Sequence, residues 1–286
     1  MSQSKYLLST LAYLPFLFLT FTLPISATTT FEETPTVAHL RQAELTELSS
    51  GIELVDCIYV INLEKRPEKW ERVDTLLRQD GIFANRFNAI DGWAIPKSVQ
   101  KELAGPYPVR MLPGEIGCLL SHISVIKDAL DRNFNVVWIF EDDFECVEPA
   151  RAMVPLIKQI SEIDPNWDIL YTDVDSKNSE GIPSLALGSD YRPDRKFIHP
   201  DEYYLARTSI SKDLMQIRQR YGMYSFLVSR KGLQKIYHYF SHVYLWTAVD
   251  IDIHYIPSIR QYSAKRDIVS IWTHSPFSDT KEKVNE

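Results

Sequence analysis

Apolar spacing changes once between residues 112 and 148, from a helical period to an unbroken run. After the breaker Pro113-Gly114, residues Ile116, Leu119, Leu120, Ile123, Ile126 and Leu130 recur at helical spacing. They predict a helix from Glu115 with one apolar stripe. Asn133-Phe134-Asn135 ends it, and Val136-Val137-Trp138-Ile139-Phe140 follows without a polar break. Such a run predicts a central parallel strand covered on both faces. Glu141, Asp142 and Asp143 come next with nothing between. In open α/β sheets ligands sit beyond the carboxyl ends of strands. Three adjacent carboxylates repel one another, and a divalent cation with oxygen ligands relieves that repulsion. A solvated strand end is the plain alternative.

The same alternation of strand and helix runs through the chain. Residues 57–61 (CIYVI) predict a strand ending at Asn62, and Pro67 suits the first turn of a helix. Trp70, Val73, Leu76 and Leu77 supply the buried face of that helix up to Gly81. Asn62 and Arg66 then lie at the carboxyl end of the first strand, where Arg66 suits a diphosphate or a carboxylate. An ordinary solvated helix start explains Arg66 equally well. Residues 83–90 read as a second strand stopped by Asp91-Gly92, a turn signal. A helix over 153–163 and a strand over 167–171 follow, the strand ending in Asp173-Val174-Asp175. Residues 176–220 are polar and irregular, and a loop of that length suits a lid or binding surface. Residues 222–228 read as a strand and Ser229 as the cap of a helix over 230–240. Residues 245–253 are apolar with Asp250 and Asp252 set into them, and 268–272 form a last strand before Thr273-His274-Ser275. The pattern predicts an α/β protein with a single, mostly parallel central sheet flanked by helices.

Residues 6–25 carry no charge, follow Lys5, and give way to Ser26-Ala27 and three threonines. That layout predicts a signal peptide over residues 1–27, with an uncleaved membrane anchor as the alternative. Residues 28–53 read as a linker with a short helical piece around 37–48, and residues 54–286 as the main domain. Export, with the domain on the non-cytoplasmic side, is the expectation; the cytoplasmic face of a membrane is the alternative.

Composition narrows the partners. Aromatic residues make up 12% and charged residues 24%, as in a globular protein with a substantial core. The formal net charge is -7 and no basic run occurs, which argues against nucleic acid. Three cysteines, Cys57, Cys118 and Cys146, show no metal-ligand spacing and read as buried thiols. Glu115, Cys118 and His122 share one flank of the central helix. Ser121 and His122 are neighbours whose side chains point ~100° apart on a helix, and no nucleophile elbow surrounds Ser121, so a serine hydrolase is excluded. His122 is left as a hydrogen-bonded, packing or substrate-contacting residue.

Five segments, in this order, carry a resemblance: IYVINLEKRPEKWERV (58–73), FNAIDG (87–92), PGEIGCLLSH (113–122), VVWIFEDD (136–143) and YSFLVSRKGLQKI (224–236). Together they resemble the family 25 glycosyltransferases, the lipooligosaccharide group that includes the collagen galactosyltransferases. The resemblance implies a GT-A-like fold and inverting transfer of a hexose, galactose or glucose, from a UDP-sugar. The acceptor would be a glycan, glycolipid or glycoprotein. It implies a divalent metal, Mn²⁺ by expectation, at Glu141 and Asp143 with His274 as a further ligand. Donor contacts would fall on Asn62, Arg66, Asp91, Glu115, His122 and Asp142, and Asp250 would be the base. Glu141 departs from a literal DxD, whereas Asp173-Val174-Asp175 and Asp250-Ile251-Asp252 match it and are rivals. A second class of reading is an exported binding or adhesion protein that keeps the fold without turnover. A phosphohydrolase is disfavoured because EDDFE lacks the nucleophilic DxD[TV] context.

Overall fold

The computed structural model describes residues 33–174, 185, 192–193, 199–273 and 279–281. Strand β1 (Cys57–Asn62) leads into helix α1 (Pro67–Gln79), then β2 (Asn85–Asn88) and α2 (Lys97–Ala104). The long helix α3 (Pro113–Asp131) feeds β3 (Val136–Glu141) and the short β4 (Phe144–Cys146). Helix α4 (Met153–Ile163) precedes β5 (Ile169–Tyr171), and α5 (Asp201–Leu205) precedes a hairpin of β6 (Arg207–Ser209) and β7 (Leu214–Ile217). β8 (Ser225–Ser229), α6 (Arg230–Ser241), α7 (Val249–Asp252), β9 (Gln261–Ala264) and β10 (Val269–Ile271) complete the order.

Among the described residues, eight strands form one sheet in the order β2-β1-β3-β8-β5-β9-β7-β6. β1 pairs in parallel with both β2 and β3, and β5 with β9. β8 runs antiparallel between β3 and β5, so the α/β sheet is mixed across its middle. This architecture is consistent with the expected GT-A-like fold. The central run is covered on both faces as its sequence predicts, but it is parallel to β1 and antiparallel to β8. Val137 and Ile139 face one apolar layer with α3 and α6, while Trp138 and Phe140 face the other with α1 and α4. Asn133 takes a left-handed φ of 64° just past α3, the local reason that the helix stops and the chain turns into β3. Ser229 caps α6 by accepting from the Gly232 amide at 3.2 Å.

Two stretches differ from their expected form. The helix expected around 37–48 is a 3-10 turn, Pro35–His39, followed by extended chain. That chain is tied to α3 and to β2. Arg41 N donates to Ser124 Oγ (3.0 Å), Ala43 N to Asp128 Oδ1 (3.1 Å) and Thr46 N to Asn85 Oδ1 (2.8 Å). The described part of the 176–220 stretch holds α5 and the β6-β7 hairpin, which extends the sheet through β9. Both strands are short and half-exposed with mixed polarity, so neither periodicity emerges from them. No helix among the described residues is long and apolar enough to cross a membrane. Residues 6–25 lie outside the described residues.

Candidate functional site

β1 and β3 lie side by side and parallel, so their carboxyl ends deliver Asn62 and Glu141 to one place. A cleft opens there, lined by Leu63, Asp91, Trp93, Cys118, His122, Glu141, Asp142 and Asp279. Glycines set its walls. A Cβ on Gly117 would lie 2.4 Å from the Ile90 carbonyl and 2.5 Å from the Gly92 amide. One on Gly92 would lie 1.7 Å from the Pro113 carbonyl. The AIDG turn after β2 therefore rests directly on the GEIGC turn of α3. Ser121 fastens the same contact, accepting from the Ile90 amide (2.8 Å) and donating to the Gly117 carbonyl (2.7 Å). Its hydroxyl is thus structural.

The three acids after β3 divide the work. Asp142 is held by Asn62 Nδ2 at 2.6 Å and Lys69 Nζ at 3.3 Å. Asn62 is itself fixed, donating to the Arg66 carbonyl (3.0 Å) and accepting from Arg86 Nε (2.8 Å). Burial raises the Asp142 carboxyl above its usual range, against the lowering effect of Lys69. Asp143 Oδ1 is buried without a hydrogen-bond partner. Burial first and the Asp142 charge second push the Asp143 pKa up to about 6. Glu141 is also raised, by burial and then by Asp143, Asp250 and Asp142. Acids held this way favour a proton or a bound cation.

Two cations face them from the start of α1. Arg66 Nη2 meets Asp279 Oδ1 at 2.6 Å and Lys69 Nζ meets Asp279 Oδ2 at 2.8 Å. Burial alone would lower the Lys69 pKa, but Asp142 and Asp279 outweigh it and hold it above its usual value. The Asp279 hydrogen bond likewise raises Arg66. Asp279 reaches the cleft because Trp93 Nε1 donates to its carbonyl (3.1 Å) and the Thr280 backbone crosses Gly114, where a Cβ would clash at 2.3 Å.

His122 lies one helical turn beyond Cys118 on α3. Its Nδ1 is 3.0 Å from the Cys118 carbonyl and its ring stacks on Phe226, 5.9 Å between centroids. Nε2 approaches Glu141 Oε1 at 3.5 Å, and Cys118 Sγ lies 4.0 Å from the same oxygen. Burial lowers the His122 pKa and raises that of Cys118. Asp250, on α7, accepts from the Gly222 amide at 2.9 Å and is raised by burial.

The expected site residues therefore separate. His122, Glu141 and Asp142 line the cleft, Asn62 and Arg66 hold the lining residues Asp142 and Asp279 from behind, Asp143 follows Asp142 in the chain, and Asp250 is near enough to raise Glu141. Asp91 lines the mouth but caps the Trp93 amide (3.1 Å) and pairs with Lys65 (2.7 Å). Glu115 turns back to accept from the Leu112 amide at 2.8 Å. His274 lies outside the described residues. The rival acids are engaged in buried pairs: Asp173 with Arg220 (2.8 Å), and Asp252 with Arg192 (2.7 Å) and Tyr239 (2.8 Å). Sequence reasoning missed Lys69 and Asp279. Lys69 falls three residues after Arg66, on the same side of a helix start, and that spacing is the one signal it left.

The sequence model of glycosyltransferase family 25 (LPS biosynthesis protein) matches residues 55–253, and the chain belongs to this family. Human "Inactive glycosyltransferase 25 family member 3" is 30% identical over 148 residues, 46% of this chain and 25% of that protein. Human procollagen galactosyltransferase 2 is 32% identical over 126 residues, 41% of this chain and 20% of that protein. A glycosyltransferase 25 family member of Drosophila melanogaster is 29% identical over 144 residues, 46% and 23% respectively. The chain thus spans about a quarter or less of the length of these relatives.

Proposed function

We propose that the chain transfers a hexose, galactose or glucose, from a UDP-sugar to a glycan, glycolipid or glycoprotein acceptor, with inversion. One observation carries this reading: Glu141 and Asp142 line one cleft together with Asp279, whose carboxylate is held by two cations, Arg66 and Lys69, suited to a diphosphate. Arg66 and Lys69 bind the two phosphates once Asp279 gives way. Asp142, locked by Asn62 and Lys69, keeps those cations in place. The orphaned Asp143 Oδ1 and the Glu141 carboxylate fit a hard divalent ion such as Mn²⁺. That ion would neutralise charge growing on the leaving diphosphate. Asp250, raised above the usual carboxylate range by burial, takes the proton of the acceptor hydroxyl. The acceptor oxygen bonds the anomeric carbon from the face opposite UDP. The electrons of the breaking bond leave on the β-phosphate oxygen.

Residues 6–25 would serve as export signal or membrane anchor for a domain over 54–286, placing the transfer on the non-cytoplasmic side. A second reading has one specific observation behind it: a relative is named an inactive family member, and the phosphate-facing cations here are already paired with Asp279. In that reading the cleft binds without turnover. Calorimetric titration of the full chain with UDP, with and without Mn²⁺, separates the two when joined to a donor-turnover assay. Transfer that Asp250→Asn abolishes while UDP still binds supports the enzyme. UDP binding with no turnover in the wild type supports the binding protein.

A further inference from the structure

The tightest group of metal-capable side chains in the described structure is not the run of acids at the strand end. Cys118, His122 and Glu141 each offer one donor atom, and these atoms lie within 4.8 Å of one another. Cys118 and His122 are one turn apart on α3 and so share a face, and Glu141 enters from the end of β3. The His122 ring is fully buried. Its Nδ1 lies 3.0 Å from the Cys118 carbonyl, so a neutral ring that donates there offers its Nε2 lone pair to a ligand. Nε2 is buried without a hydrogen-bond partner and faces Glu141 Oε1 at 3.5 Å. The Met223 backbone also approaches the ring. Two electron-rich atoms this close, the histidine nitrogen buried and Glu141 only half-buried at the cleft, are stabilised by something positive between them.

We infer that Cys118, His122 and Glu141 form a site for one thiophilic divalent cation of the zinc class, open to the cleft in its fourth position. A thiolate and a carboxylate cancel the two charges of such an ion, and the neutral imidazole completes three protein ligands. Bonds of about 2.0–2.3 Å to sulfur, nitrogen and oxygen suit this donor set. The Sγ to Oε1 separation of 4.0 Å and the Nε2 to Oε1 separation of 3.5 Å are of the size that two ligands of one tetrahedral ion require. A sulfur ligand selects against Mn²⁺ and Mg²⁺, which prefer oxygen. This site shares Glu141 with the hard-metal reading, so the two cations compete for it. The inference does not depend on transferase activity, because it concerns the free protein without nucleotide.

Cobalt titration of the full chain, with no nucleotide present, tests it. One equivalent of Co²⁺ is expected to produce a thiolate-to-cobalt band in the near ultraviolet and the strong visible bands of a tetrahedral ion, both erased by Zn²⁺. Cys118→Ala should remove the thiolate band, with folding checked by circular dichroism. Glu141→Gln should weaken binding by at least about tenfold. Cys146→Ala should change neither. A folded wild type that gives no thiolate band overturns the inference and leaves His122 and Glu141 as a proton-sharing pair. A band that survives in Cys118→Ala overturns it as well, because the sulfur then belongs to another cysteine. Should Cys118→Ala fail to fold, undiminished cobalt affinity in Glu141→Gln is the overturning result. UDP binding that weakens in Lys69→Ala while the cobalt spectrum is unchanged would show the nucleotide reading succeeding or failing on its own.

Discussion

Asp143 shows how one side chain converts a strand end into a cation site. Its Oδ1 is buried without a partner, and burial followed by the Asp142 charge lifts its pKa from 3.8 to about 6. A carboxyl with a raised folded pKa binds its proton more tightly folded than unfolded. The folded state is therefore at no disadvantage below about pH 3.8, and loses stability as pH rises through 6. A two-unit shift corresponds to about 3 kcal/mol as an upper bound. Asp143→Asn removes that cost, so the metal-free variant should melt above wild type at pH 7.5, and the two should converge near pH 4. A divalent cation should raise the wild-type midpoint at pH 7.5 and do less for the variant. Scanning calorimetry at both pH values checks this, and an equal shift at each would point to packing in place of charge. Single residues were also where the sequence was least legible. A lysine on an amphipathic helix reads as solvated, yet Lys69 is buried between Asp142 and Asp279. Cys118 was placed on the same flank as His122, but its approach to Glu141 is a tertiary fact, set by where β3 meets α3.

At the scale of elements, the strongly periodic segments declared themselves. The apolar stripe of α3, the continuous run of β3 and the Pro67 start of α1 each fix both the kind of element and the face it buries. The AIDG and GEIGC turns were legible as segments, but their contact was not. That contact requires backbone against backbone at Gly117 and Gly92, with no room for a Cβ at either. Gly117→Ala should therefore push the turn after β2 off α3, at a cost of about 1–3 kcal/mol. Urea unfolding should show the midpoint falling, and UDP binding should weaken with it because Asp91 and Trp93 line the cleft mouth. An unchanged midpoint would mean that the turn gives way freely and does not shape the cleft. The β6-β7 hairpin escaped detection for the opposite reason. Its strands are three and four residues long with no clean alternation, and they become strands only because β9 offers a free edge.

The whole molecule closes on the cleft through Asp279, more than 200 residues after the cations that it meets. No local pattern could announce this. β10 pairs with β4, and just past it Trp272 N donates to the Asp143 carbonyl at 2.6 Å. Arg66 and Lys69 are nearly buried in this arrangement, with side-chain exposures of 17% and 10%, and Asp279 has 12%. Ion pairs this shielded are screened little by salt and are costly to leave half-made. A diphosphate must therefore displace Asp279 before it can take both cations. Removing the competitor should strengthen nucleotide binding: Asp279→Ala is expected to tighten UDP by about tenfold, or about 1.4 kcal/mol. Arg66→Ala and Lys69→Ala should each weaken it. If Asp279→Ala instead weakens UDP, the carboxylate is arranging the two cations for the ligand and not competing with it. The double variant Asp279→Ala with Lys69→Ala separates these cases. Competition predicts that the gain from Asp279→Ala shrinks once Lys69 is gone but does not vanish, since Arg66 alone then still holds the carboxylate.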